Sequence, residues 1–165
     1  EAKWAVFFDL MKIRWEYEPE AFICADGSQY TPDFYLPNVF LRDEKRGLYL
    51  EVKPASFEKS EDYISRISSS LKERQLVLLV GDPVEAILNV HVGENHNEQL
   101  CPWWDNYMVL MYCEDCHTVK FEFDEGNYYS CPTCNGGAYG THPAISHAAE
   151  VARNFRFQFY DPRNK

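Results

Sequence analysis

Two cysteine pairs, CEDC at 113–116 and CPTC at 131–134, constrain this chain more than any other feature. Fourteen residues separate them, and Asn135-Gly136-Gly137 follows the second pair. Four thiolates arranged as two C-x-x-C pairs are a ligand set for tetrahedral Zn2+, and a glycine-rich turn lets backbone amides approach the sulfurs. The interval falls just short of the range of about 15–20 usual for the pattern. Disulfides would use the same residues but need an oxidising compartment. CEDCH also fits the C-x-x-C-H of covalent haem attachment, which leaves the second pair unexplained. A site closed by Cys113, Cys116, Cys131 and Cys134 has no open coordination position, so it serves stability or recognition, and its removal should unfold the surrounding insert first. Cys24 and Cys101 lie outside the pairs and read as core residues.

The remainder must supply its own core. With 165 residues, 45% of them hydrophobic and 16% aromatic, there is material for one compact domain and a small appended module. No apolar run long enough for a membrane helix and no signal-peptide pattern is visible, so a soluble, cytoplasmic protein without a membrane partner is expected. A formal charge of -10 argues against coating nucleic acid through bulk electrostatics. Contact with phosphates would have to be local and assisted by a cation.

Hydrophobic periodicity then orders the elements. EAKWAVFFDLMK reads as a mostly buried helix, and IRWEYEP alternates Ile13, Trp15 and Tyr17 against charged residues, as a half-buried strand does. AFIC and SQYTPDFYL flank Asp26-Gly27, a hairpin signal. GLYLEVK puts Leu48, Leu50 and Val52 on one face and Tyr49, Glu51 and Lys53 on the other, projecting into a cleft. An amphipathic helix follows from near Ser56, with Tyr63, Ile64, Ile67 and Leu71 on one stripe. LVLLVG reads as a strand buried on both faces. EAILNVHV is expected to add a strand, GENHNEQ a polar loop and PAISHAAEVARNFRF a closing helix. This order implies an α/β fold, a mixed sheet with helices against it. Residues 1–100 would form the core, 101–140 the zinc-ribbon insert, and 141–165 a helix and tail closing on the core.

Asp33 and Glu51, on neighbouring strands, can converge on a divalent cation, and hard carboxylate oxygens suit Mg2+ or Mn2+. Lys53, two residues along the same face, can reach an attacking water or a phosphate oxygen. The same three residues can equally form a cross-strand ion pair on a solvated face, worth little energetically. Spacing alone does not decide between them.

Pro32-Asp33 followed by Glu51-Val52-Lys53 resembles the PD-(D/E)xK nuclease superfamily, whose fold is restriction-endonuclease-like. EAKWAVFFDLMKIRWEYEPEAF, YTPDFYLP, YLEVKP, LVLLVGDP and ARNFRF follow in order the pattern of small phage and bacterial members. The resemblance covers residues 1–83 and 145–157, with the zinc segment inserted between them. It implies a mixed central sheet flanked by helices and a Mg2+-dependent nuclease, acting on DNA first of all, in a bacterial cell or phage-infected host. It further implies Asp33, Glu51 and the Val52 carbonyl as Mg2+ ligands, and Lys53 as the catalytic lysine. Glu1 takes the place of a first-helix glutamate that completes such sites, with Glu18 and Glu20 as alternatives. Two cuts on a duplex would imply a homodimer.

Other features weigh less. His91 and His96, like His142 and His147, are spaced too far apart to share a helix face and read as loop or surface residues. Trp103, Trp104, Tyr107, Tyr128 and Tyr129 can stack on unpaired bases or pack the core. Arg153, Arg156, Arg163 and Lys165, with Lys45 and Arg46, can contact phosphates or form solvated faces. The competing function is a non-enzymatic module that retains the fold and uses the ribbon and aromatics to hold a nucleic-acid or protein partner.

Overall fold

The computed structural model describes residues 1–41, 47–58, 60–71, 74–86, 90–93, 95–96, 99–100, 108–123, 129–131, 133–139 and 142–156. Helix α1 (Ala2–Leu10) buries Trp4, Phe7 and Phe8, the i, i+3, i+4 face that the apolar spacing dictates. It ends in a Schellman closure: Lys12 N–H bonds the Asp9 carbonyl and Ile13 N–H the Phe8 carbonyl, with Lys12 left-handed at φ 55. Strand β1 (Glu16–Tyr17) follows, then β2 (Phe22–Ile23) and β3 (Gln29–Tyr30), an antiparallel hairpin closed around Asp26-Gly27 as expected. Strands β4 (Phe34–Leu36), β5 (Phe40–Leu41) and β6 (Leu48–Lys53) come next.

Helix α2 (Glu61–Leu71) starts later than the expected Ser56, because Ser60 is its cap: the Ser60 hydroxyl accepts from Tyr63 N–H at 3.2 Å. The acidic residues 61 and 62 then fall in the first turn, where the helix dipole favours them. Strand β7 (Leu76–Val80) runs parallel to β6, as the crossover through α2 requires.

Part of the expected strand EAILNVHV is instead the short helix α3 (Pro83–Ala86), with Asp82 bonding Val84 N–H and Pro83 at the first position; the strand β8 (Val90–Gly93) begins after it. Within the expected polar loop, β9 (Asn95–His96) pairs with β10 (Gln99–Leu100). Strands β11 (Met108–Cys113), β12 (Val119–Phe123), β13 (Tyr129–Ser130) and β14 (Gly137–Tyr139) precede α4 (Pro143–Asn154), the closing helix.

The fold is mixed α/β with a mixed central sheet in the order β1-β4-β6-β7-β8-β11-β12-β5, and β14 pairs the carboxyl end of β11 on the edge whose other end meets β8. The sheet is curled. In a flat sheet β5 would lie six strand spacings from β4, about 29 Å, but four residues of chain reach only about 14 Å. The concave side holds the main core, where α1 and α4 bring Trp4, Phe7, Phe8, Ile145 and Ala149 against Phe34, Leu50, Leu79 and Phe121. The opposite face packs Tyr49 and Leu76 under Ile67 and Leu71 of α2, with Phe22, Cys24 and Tyr30 of the hairpin beside them. Both faces of β6 are therefore covered, and Glu51 is not in an open cleft: it is 5% exposed.

Strands β11 and β12 pair with β8 and β5, so they share the sheet with the core strands. The expected boundary at 101, Cys101 itself and Trp103, Trp104, Tyr107 and Tyr128 lie outside the described residues, as do Lys45, Arg46, Arg163 and Lys165. No helix among the described residues is long and apolar enough to cross a membrane.

Candidate functional site

The four-cysteine cluster is built from two hairpin turns. CEDC makes the turn from β11 to β12 and CPTC the turn from β13 to β14. The two turns are alike. His117 N–H returns to the Cys113 carbonyl and Asn135 N–H to the Cys131 carbonyl, both at 2.9 Å, and both residues are left-handed, at φ 59 and 61.

Amides of Thr133 and Gly136 approach the sulfurs of Cys131 and Cys134 at 3.4 Å. Gly136 sits close under this turn: a Cβ there would stand 2.1 Å from an Asp115 carboxylate oxygen, which would have to swing aside, and 3.1 Å from the Cys134 sulfur. All four sulfurs lie within 4.8 Å of one another. The pairs Cys113–Cys134 and Cys116–Cys131 are 3.6 and 3.4 Å apart, against about 3.8 Å for the edge of a tetrahedral Zn–S site. These residues fit a structural Zn2+, and the cysteines are free, not disulfide-bonded. Cys24 is free and buried in the core.

His142, expected at the surface, couples this cluster to α4. It caps that helix: Nδ1 accepts from Ala144 N–H at 3.1 Å, so the ring proton sits on Nε2 and is donated to Glu114 at 2.6 Å. Tyr112 Oη meets His117 Nδ1 at 2.5 Å, and its ring packs on His142. His147 is exposed on α4. His91 and His96 fall in strands β8 and β9.

The acidic constellation lies where the carboxyl ends of parallel β6 and β7 meet, the usual place for a ligand in such sheets. Register brings its members together. Phe34 faces Leu50 and Tyr35 faces Tyr49, so one step further Asp33 stands opposite Glu51, and directly opposed residues point to one face. Lys53 shares that face. The Asp33 carboxylate accepts the Val52 amide at 2.6 Å, just past the last ladder pair. Tyr49 N–H and the Lys53 carbonyl bond on the β7 side, so the alternation of the strand turns the Val52 carbonyl toward β4 and Asp33.

Glu51 is fully engaged. Tyr30 donates to Oε2 at 2.8 Å, Tyr63 donates to Oε1 at 2.8 Å, and Lys53 Nζ lies 2.6 Å from that same Oε1. Glu1 is exposed at the α1 cap and accepts from Tyr17 at 2.8 Å; that bond first of all, with burial and the nearby charges of Glu1 and Glu18, pushes the Tyr17 phenol up to about 12. Burial foremost, with the charges of Glu51 and Glu1, raises Asp33 to about 6, although the Val52 amide and Lys53 pull the other way. Glu1 thus belongs to the field around Asp33. Burial alone would lower Lys53, but its bonds to Glu51 and Tyr63 outweigh it and the ammonium is held above its usual range.

Of the two alternatives, Glu20 stands elsewhere, accepting from Tyr49 and pairing with Arg74 at 3.7 Å, whereas Glu18 adjoins Asp33, donating its amide to the Asp33 carbonyl at 2.9 Å. Arg153 pairs with Asp82 at 3.4 Å, across from Lys3 at 3.6 Å. Arg156 is exposed. Among the described residues, the cysteines are the group of three or more Cys, His, Asp or Glu whose ligand atoms all fall within 4.8 Å. Asp33, Glu51 and Glu1 do not form such a group.

The sequence reading missed Tyr30 and Tyr63 as partners of Glu51. A signal was present, since Tyr63 lies on the apolar stripe of α2 and a buried phenol needs a partner. Compared with protein-family models, curated proteins and solved structures, the chain has no match.

Proposed function

We propose that the chain is a metal-dependent nuclease of the PD-(D/E)xK type, with a restriction-endonuclease-like core, hydrolysing phosphodiester bonds of DNA. The observation that carries this reading is the register that sets Asp33 opposite Glu51, with Lys53 on their face and the Val52 carbonyl turned toward Asp33. The donors suit a hard cation. Burial first, and then the charges of Glu51 and Glu1, raise Asp33, and a bound cation would offset both.

Asp33, Glu51 and the Val52 carbonyl would hold Mg2+ or Mn2+, with Glu1 as a further carboxylate. When bound, the cation supplies polarisation of the phosphate and acidification of its water. The chain's own groups do the rest. The Val52 amide orients Asp33, and Tyr30 and Tyr63 orient Glu51. Lys53 positions the attacking water and offsets charge developing on the phosphate. In this reading the zinc ribbon stabilises the sheet and contributes to the grip on DNA, and a homodimer would place two cuts on a duplex.

One observation favours a non-enzymatic binding module: both oxygens of Glu51 already have partners, as a buried structural carboxylate requires. Cleavage of labelled single-stranded, double-stranded and branched DNA, and of RNA, with Mg2+, Mn2+ or no added divalent ion, separates the two. Cleavage that needs the cation and is lost in Lys53→Ala supports the nuclease. No cleavage in any lane by folded, zinc-loaded protein turns the assignment to the binding module.

A further inference from the structure

Glu51 is 5% exposed, and a buried carboxylate requires a counter-charge. Here it is internal: Lys53 Nζ is 2.6 Å from Oε1, while Tyr63 and Tyr30 each donate at 2.8 Å. The two phenols are neutral and come from α2 and β3, on different sides of the carboxylate, so they hold Glu51 without satisfying its charge. Lys53 is the member whose departure would leave the two tyrosine bonds intact. Its stem is flexible, and the rings of Tyr63 and Phe57 lie 5.2 and 6.0 Å from Nζ. Aromatic faces at that distance stabilise an ammonium that has left its carboxylate.

We propose that Lys53 is the built-in counter-ion of Glu51, holding Oε1 until a divalent cation takes its place. The inference rests on the metal-binding reading of Asp33 and Glu51. Exchange leaves Glu51 anchored by its two tyrosines and releases the ammonium beside the same face. Lysine release is thereby tied to cation entry: the group that serves the attacking water becomes available only when the cation is present.

The test is Mn2+ binding to the zinc-loaded full chain by calorimetry at pH 7.5, with thermal melting of each variant as a check on folding. Lys53→Met removes the competing charge, and Mn2+ should bind at least about tenfold tighter than to wild type. Arg66→Met removes a charge 5.9 Å above the Tyr63 ring; it should change the affinity less than about threefold. Asp33→Asn should lose binding. Binding seen in Lys53→Met alone carries the same conclusion. If wild type binds and Lys53→Met binds no tighter, the exchange is overturned while the metal site stands. An equal gain in Arg66→Met makes the effect a general field and also overturns it. Absence of binding in wild type and Lys53→Met removes the metal reading and the inference together. Should Lys53→Met fail to fold, Lys53→Gln takes its place.

Discussion

Asp33→Asn should make the protein more stable at neutral pH without added divalent ions. Burial, with Glu51 and Glu1 nearby, raises the Asp33 carboxyl to about 6 from 3.8. An acid raised on folding binds its proton more tightly in the native state. Its contribution is therefore fully present below the unfolded value and is lost as pH rises through about 6. Two units correspond to ~3 kcal/mol at most, and since the carboxylate is only half-buried, screening by water reduces this to about 1–2 kcal/mol. Asparagine keeps an oxygen for the Val52 amide, so the structural bond survives the exchange. Urea unfolding in divalent-free buffer should show Asp33→Asn ahead by about 1–2 kcal/mol at pH 7.5 and by roughly half as much at pH 5. Comparing the variants at each pH cancels any titration of the cysteines. Mn2+ should then stabilise wild type and leave Asp33→Asn unchanged. A variant less stable than wild type at pH 7.5, or a difference independent of pH, would refute the claim that burial and the neighbouring carboxylates disfavour the Asp33 charge.

Chelation of zinc, or Cys131→Ser, should loosen the two knuckles first and lower Tm by about 10 °C or more, since structural zinc contributes several kcal/mol; hydrogen exchange should show the loss beginning at the 113–118 and 131–136 turns. Because β11 and β12 pair with β8 and β5, the loosening should then spread into the main sheet. Lys12→Gly should raise stability by about 0.5–1 kcal/mol in urea unfolding, because Lys12 holds the left-handed position of the α1 closure at φ 55.

Where one short segment decides its own geometry, the sequence was readable. The Asp26-Gly27 hairpin, the alternation of β6, the doubly buried β7 and the cysteine knuckles all follow from neighbours within six residues. The start of α2 was expected near Ser56, four residues before the Ser60 that caps it. Both serines precede plausible helix, and the acidic pair at 61–62 was the signal that favours the later start. His142 illustrates a different loss: its spacing from His147 says nothing, whereas its place one residue before Pro143 marks a helix start, and the Glu114 contact depends on β11 and α4 meeting.

The reading of Glu51 failed for a reason that bears on function. Alternation correctly placed Tyr49, Glu51 and Lys53 on one face, but calling that face open assumed that a charged residue marks solvent. The stripe Tyr63, Ile67, Leu71 of α2 needed a surface to cover, and the Tyr49 face of β6 was that surface. Once α2 lies over it, Glu51 must be satisfied within the protein: Lys53 supplies the counter-charge, and Tyr30 and Tyr63 supply hydrogen bonds. The cover ends at Lys53 and Asp33, both only half-buried at the carboxyl ends of β6 and β7. A cation or a phosphate would therefore reach the site along that edge, meeting Asp33 and the Val52 carbonyl before Glu51. Reaching Glu51 then requires displacing Lys53. The same burial that makes the carboxylate look structural is what would let an arriving cation change the position of the lysine.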